Sequence, residues 1–283
     1  MKRAVSGSPP PFLRRVAVLP DRLAGRTGYP FHLPLVQQLD WTFDRPVTIV
    51  VGDNGTGKST LLEAVAELAG FAPRGGTRSH VGAATLDERR LEDELAAEGG
   101  PVDRLRRIRS EGRLAEVLRA GWLPKVTDGF FFRAETFFDL ARYLDEASLN
   151  EARPYSGPPP PLHLRKSHAE GFLEFFGGRI GRALRDRRPS LFVFDEPEAA
   201  LAPSRQLEFL RSIRALERSG RSQVVIATHS PVVMAYPGAD LRVITDGRLE
   251  PTALEQVRHF SMLDEFFADP HGFVARGLGE EGW

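Results

Sequence analysis

The chain has 283 residues, 41% of them hydrophobic and 27% charged, as in a soluble globular protein of one large or two small domains. Its 38 basic and 38 acidic residues cancel, so no global field draws it to nucleic acid or to an anionic membrane. Cysteine is absent, which excludes disulfides, thiolate catalysis and Cys-based zinc sites and fits a reducing cytoplasm.

The first twenty residues carry positive charge, but Val16 to Leu19 is their longest apolar run, too short for a signal-peptide core. Nowhere does an apolar run approach the roughly 18 residues of a membrane span. The expectation is a cytoplasmic protein with no membrane insertion.

In chain order, Val47 to Val51 reads as a buried strand, followed by a glycine-rich turn and a helix with Leu61, Leu62, Val65 and Leu68 at helical spacing, closed by Gly70. The turn is a phosphate loop: Gly52 to Ser59, "GDNGTGKS", matches G-x-x-x-x-G-K-[ST] between a strand and a helix. Its glycines let backbone N–H groups surround phosphate oxygens at a helix N-terminus. Lys58, one of only four lysines, is expected to bridge the outer phosphates, and Ser59 to ligate magnesium.

Residues 86 to 120 hold eight Arg against nine Asp and Glu, with leucines at helical spacing, and read as solvated helical faces. Residues 129 to 144, "GFFFRAETFFDLARYL", read as a short strand and a helix, and the prolines of residues 154–161 as a stiff connector. Ser167 and Glu170 form a capping box that starts a helix carrying Phe172, Phe176, Ile180 and Leu184 at four-residue spacing.

"SLFVFDEPEAAL" is a buried strand ending in Asp195, a carboxylate placed to hold magnesium beside the phosphate loop. Glu196 follows, placed to act as a general base on water. An amphipathic helix, Ser204 to Arg218, puts Leu207, Leu210, Ile213 and Leu216 on one face. "SQVVIATHSP" is a further buried strand, ending in Thr228, His229 and Ser230, with His229 in reach of a γ-phosphate. Asp246-Gly247 joins two short strands as a hairpin, and a capping box at Thr252 and Glu255 opens a closing helix to Phe267.

The order of phosphate loop, Ser167, "LFVFDEPEAAL" and "ATHSP" resembles the ATP-binding-cassette ATPases. Asn54-Gly55 and the joined Asp195-Glu196-Pro197 resemble their soluble branch, with the SMC, Rad50 and RecF-like proteins, and small bacterial ATPases of AAA type. The likeness spans residues 31–72 and 165–250, and less closely 125–145.

It implies a three-layer α/β P-loop core with a mainly parallel sheet and an inserted helical lobe. That gives one domain over residues 1–283, its core lobe at about 12–84 and 188–283 and its inserted signature lobe at about 85–187. The implied activity is ATP binding and hydrolysis to ADP and phosphate. Gly52, Asn54, Gly55, Thr56, Gly57, Lys58, Ser59 and Thr60 hold the nucleotide, Ser59 and Asp195 hold Mg2+, Glu196 is the catalytic base and His229 senses the γ-phosphate. Glu135 stands nearest the family's magnesium-contacting glutamine. Tyr29 or Phe31 is the candidate for stacking on the base.

Ala200 to Ser204 is the implied dimer-contacting loop. Ser167, His168 and Glu170 are the implied signature presented to ATP on a second copy, so ATP is expected to drive a head-to-tail homodimer. His168 and Ala169 replace two glycines of that signature. The alternatives are a nucleotide-gated clamp on DNA or protein with little turnover, and the ATP-binding subunit of a transporter.

Overall fold

The computed structural model describes residues 8–72, 75–77, 113–134 and 168–279. The strands are β1 (Leu13–Val18), β2 (Asp40–Thr42), β3 (Val47–Gly52), β4 (Leu118–Trp122), β5 (Gly129–Arg133), β6 (Ser190–Asp195), β7 (Ser222–Ala227), β8 (Asp240–Thr245) and β9 (Arg248–Pro251). The helices are α1 (Pro20–Leu23), α2 (Pro34–Gln37), α3 (Lys58–Ala69), α4 (His168–Asp186), α5 (Pro203–Arg218), α6 (Pro231–Met234), α7 (Arg258–Ala268) and α8 (Pro270–Gly277). No described helix is long and apolar enough to cross a membrane.

The apolar runs read from the sequence assemble into one sheet in the order β5-β6-β7-β3-β8-β9. All neighbours are parallel except β8 and β9, the hairpin closed by Asp246 and Gly247, both at positive φ. Every residue of β6 and β7 is buried, which is why these strands are apolar without alternation.

Successive side chains still divide between the two faces of the sheet. Val50, Phe131, Val193 and Val225 join Leu61, Leu62 and Val65 of α3 in one core. Val47, Ile49, Phe130, Phe132, Phe192, Phe194 and Ile226 join α4, α5 and α6 in the other. There, Phe176 of α4 meets Phe130 and Phe132 edge-on at 5.5 and 5.1 Å, and Phe209 of α5 meets Phe194 at 5.0 Å. The result is the expected α/β P-loop core with helices on both faces.

Three readings change. In α5 the buried stripe is Gln206, Phe209, Ile213 and Leu216, whereas Leu207 is 52% exposed. The stretch at the end of the charged segment is not a helix throughout: Leu114–Val117 is a single 3-10 turn and β4 follows it. β4 pairs with β1 in a separate antiparallel sheet, β2-β1-β4, while β5, read as a strand from the sequence, pairs with β6. The closing helix starts at Arg258, because Leu254–Gln256 forms a 3-10 turn before it.

The antiparallel sheet is fixed to the parallel one by Gln223 of β7, which is fully buried. Its side-chain oxygen accepts from the N–H groups of Phe12 and Leu13, both at 2.8 Å, and its amide donates to the Leu13 carbonyl at 3.1 Å.

Candidate functional site

The carboxyl ends of β3, β6 and β7 lie side by side, since β3 pairs with β7 and β7 with β6, and all three run the same way. Loops leaving adjacent parallel strands there form a crevice where ligands of such sheets bind.

The first loop joins β3 to α3. Gly55 and Gly57 both take left-handed φ, at 81° and 95°, and at Gly57 an added Cβ would stand 3.3 Å from Leu33. Gly57 is the residue from which α3 starts, so the helix N-terminus faces the loop's interior. Thr56 caps the turn by donating from Oγ1 to the Asp53 carbonyl at 2.8 Å. Lys58 folds back over it, its Nζ donating to the carbonyls of Gly52 at 2.8 Å and Asp53 at 3.1 Å. Burial holds the Lys58 pKa below its ordinary value, against the pull of Glu196, Asp195, Asp53 and Glu198.

Asn54 lies in the same loop, and Ser59 and Thr60 fall in the first turn of α3. Thr60 shares a short hydroxyl contact with Tyr29, whose ring is 44% exposed. Phe31, by contrast, is 1% exposed in the core and cannot stack on a base.

The second loop follows β6. Asp195 is buried at the strand end, opposite Arg133 on β5, whose Nε lies 3.7 Å from Asp195 Oδ2. Arg133 also donates to Glu63 of α3 at 2.9 Å. Glu196 takes a left-handed conformation at φ 51°, ψ 52°, rare for a residue with a long side chain.

The third loop follows β7. His229 Nε2 stands 3.5 Å from Glu196 Oε1, and this buried nitrogen has no hydrogen-bond partner. Burial first, and the Lys58 charge second, press the His229 pKa below 6.5, so the ring is neutral near pH 7 and its nitrogen can exchange a hydrogen bond with a ligand.

Two residues outside the sequence reading complete the arrangement. Glu198 lies in the 3-10 turn Pro197–Ala200, and its Oε1 accepts from the N–H groups of His229 at 2.5 Å and Ser230 at 3.2 Å. Burial raises its pKa, and its other oxygen has no hydrogen-bond partner. Ser230 is held in turn by donating to Gln206 at 2.5 Å. The signal for Glu198 was present in Asp-Glu-Pro-Glu: Pro197 fixes a turn, and a carboxylate one residue later folds back inside it.

The second is Arg133. Its signal was the parity of β5, which sets a cation beside Asp195.

His168 and Glu170 belong to the first turn of α4, whereas Ser167 and Glu135 lie outside the described residues. Among the described residues, no group of three or more His, Asp or Glu could hold a metal by itself. Ser59 and Asp195 nonetheless supply hard oxygen donors, the chemistry magnesium takes when phosphate oxygens and waters complete its shell.

A glycine-lined loop on a helix N-terminus, a buried strand-end aspartate and an adjoining glutamate-histidine pair define a P-loop nucleoside triphosphatase. Residues 86–235, just over half of the chain, match a family model described as "AAA domain, putative AbiEii toxin, Type IV TA system", and residues 32–111 match a second AAA domain model. The chain belongs to the first of these families and is an ATP-hydrolysing P-loop enzyme of the AAA and ABC type.

It is 27% identical over 222 residues to the hemin import ATP-binding protein HmuV of Burkholderia thailandensis, covering 72% of this chain and 75% of that protein. It is 28% identical over 227 residues to the molybdenum import ATP-binding protein ModC of Rhizobium etli, covering 75% of this chain. It spans 55% of that protein's length. Among solved structures, the SMC head domain of Thermotoga maritima aligns with a TM-score of 0.43 and 16% identity, covering 86% of this chain and 99% of that one. CbiO1 of Clostridium perfringens, part of the ABC transporter complex cbiONQ, aligns at 0.43 and 14%, covering 94% and 99%.

Proposed function

We propose that this chain hydrolyses ATP at the crevice above β3, β6 and β7, with Glu196 as general base and His229 as the γ-phosphate contact. The observation that carries this reading is the pair Glu196 Oε1 and His229 Nε2, 3.5 Å apart beside a loop built to cradle phosphates. Lys58 leaves its two loop carbonyls to meet the outer phosphates, with Gly52, Asn54, Gly55, Thr56, Gly57, Ser59 and Thr60 supplying the rest of the cradle. Glu196 takes a proton from the attacking water, and neutral His229 donates to the γ-phosphate as its charge grows. Ser59 and Asp195 would hold Mg2+, which would neutralise phosphate charge. Arg133 sets a positive charge beside Asp195.

In this reading two copies close head to tail on two ATP molecules, Ser167, His168 and Glu170 of each facing the phosphates held by the other, and hydrolysis reopens them. The energy couples to a protein or DNA partner. The likeness to import ATP-binding proteins favours, as a second reading, a membrane partner for the same cycle.

Glu196→Gln tests the reading directly. It should bind ATP as the wild type does, lose turnover by about a hundredfold or more, and accumulate as a dimer by light scattering with ATP and magnesium. A variant that stays monomeric under those conditions rules out the head-to-tail cycle. A salt-dependent shift of labelled DNA that changes with ATP would assign the partner as nucleic acid.

A further inference from the structure

The helix that follows the parallel sheet reaches the phosphate site through His259. Val257, just before α7, is 3% exposed, and Phe260 one turn on packs against the core that holds β3 and β7. These two anchors fix the first turn of α7 beside the crevice. Between them His259 reaches the site: its ring meets that of His229 edge to face, centroids 5.4 Å apart, and its Nδ1 lies 4.0 Å from Asp53 Oδ1 in the phosphate loop.

That contact has a job to do. Glu198 holds the backbone of His229, but a backbone hydrogen bond does not set the tilt of the ring, and the outer torsion of histidine is soft. His229 Nε2 has no hydrogen bond to set it either. The imidazole has Glu196 Oε1 3.5 Å from its Nε2 and the ring of His259 edge to face with it.

We infer that His259 is a positioning residue for the His229 imidazole, and that through it α7 responds to occupancy of the γ-phosphate site. This rests on the role proposed for His229. A phosphate oxygen that engages Nε2 pins the ring, and the pinned ring restrains His259 and the turn of helix that carries it. Because His259 is 42% exposed, its removal leaves the core packing of α7 in place.

The test compares ATP turnover by the wild type, His259→Ala and His259→Phe, with ATP affinity measured separately by a fluorescent ATP analogue. Loss of the ring in His259→Ala should lower kcat about tenfold with KM changed less than about twofold. His259→Phe, which keeps an aromatic edge without the nitrogen facing Asp53, should recover most of kcat. Hydrogen exchange of amides 258–268 should slow when a non-hydrolysable ATP analogue is added to the wild type, and should not respond in His259→Ala.

An unchanged kcat in His259→Ala, a loss confined to KM, a His259→Phe as slow as His259→Ala, or an exchange rate blind to nucleotide would each overturn the inference while leaving the ATPase reading intact. A wild type that binds ATP but turns over no faster than Glu196→Gln would sink the site reading, and the inference with it.

Discussion

Glu198 shows how one buried carboxylate can matter without touching substrate. Its Oε1 accepts from the N–H of His229 and shares the N–H of Ser230 with the Thr228 hydroxyl, so it fixes the turn carrying His229. Glu198→Ala strips the His229 N–H of its acceptor, while Ser230 keeps that of Thr228, and should cost about 1–3 kcal/mol of stability, and turnover with it. Glu198→Gln keeps an acceptor and should retain most of both. The wild type and Glu198→Gln differ with pH. Because burial raises the Glu198 pKa above 4.5, the folded state holds its proton more tightly than the unfolded chain does. Its contribution is therefore full below pH 4.5 and is lost as pH rises through the folded value. Melting temperatures taken upward from pH 4.5 should show the wild type losing ground to Glu198→Gln; parallel curves would mean that the carboxyl is not the titrating group. His229 has the opposite sign: with its pKa below 6.5, it weakens the fold as pH falls from that value, when the unfolded chain takes up the proton that the fold refuses. Lys58, Ser59, Asp195, Glu196 and His229 were legible in the sequence because their motifs are contiguous. Glu198 and Arg133 were less so, since their meaning depends on the side of a turn or strand they occupy.

Among the elements, β3, β5, β6 and β7 announced themselves as apolar runs, because strands buried on both faces are mostly apolar and admit polar residues such as Gln223 only where these find partners. β4 did not. Its sequence, LRAGW, alternates between burial and exposure and follows a charged stretch with leucines at helical spacing, so local pattern gave no warning of its pairing with β1, about a hundred residues earlier. α5 was read in the right place, and of its expected stripe Ile213 and Leu216 are fully buried and Leu210 packs against the core, but Leu207 is exposed. The first turn of the buried face is filled instead by Phe209, which packs against Phe194, and by the polar Gln206, buried to hold Ser230. A pair of substitutions separates the two registers. Phe209→Ala should cost about 3–5 kcal/mol in chemical denaturation, and Leu207→Ala should stay within about 0.5 kcal/mol. Equal costs would restore the leucine stripe.

At the scale of the molecule, a parallel sheet that positions the chemistry and an antiparallel sheet that flanks it meet through Gln223. Gln223→Leu keeps the volume but leaves the N–H groups of Phe12 and Leu13 buried without an acceptor, and should destabilise by about 2–5 kcal/mol. Denaturation of that variant at an unchanged midpoint would show that the tie is dispensable. The tie also orders events in time. β1 is tied to the parallel sheet by a side chain that follows it by 210 residues, so at about 5–20 residues per second a chain under synthesis spends on the order of 10–40 seconds with no more than β2 and β4 to hold β1. A nascent chain arrested before Ser222 should therefore be cut by protease more readily at β1 than one arrested well beyond β7, because the antiparallel sheet is tied to the parallel one only after β7 has been made.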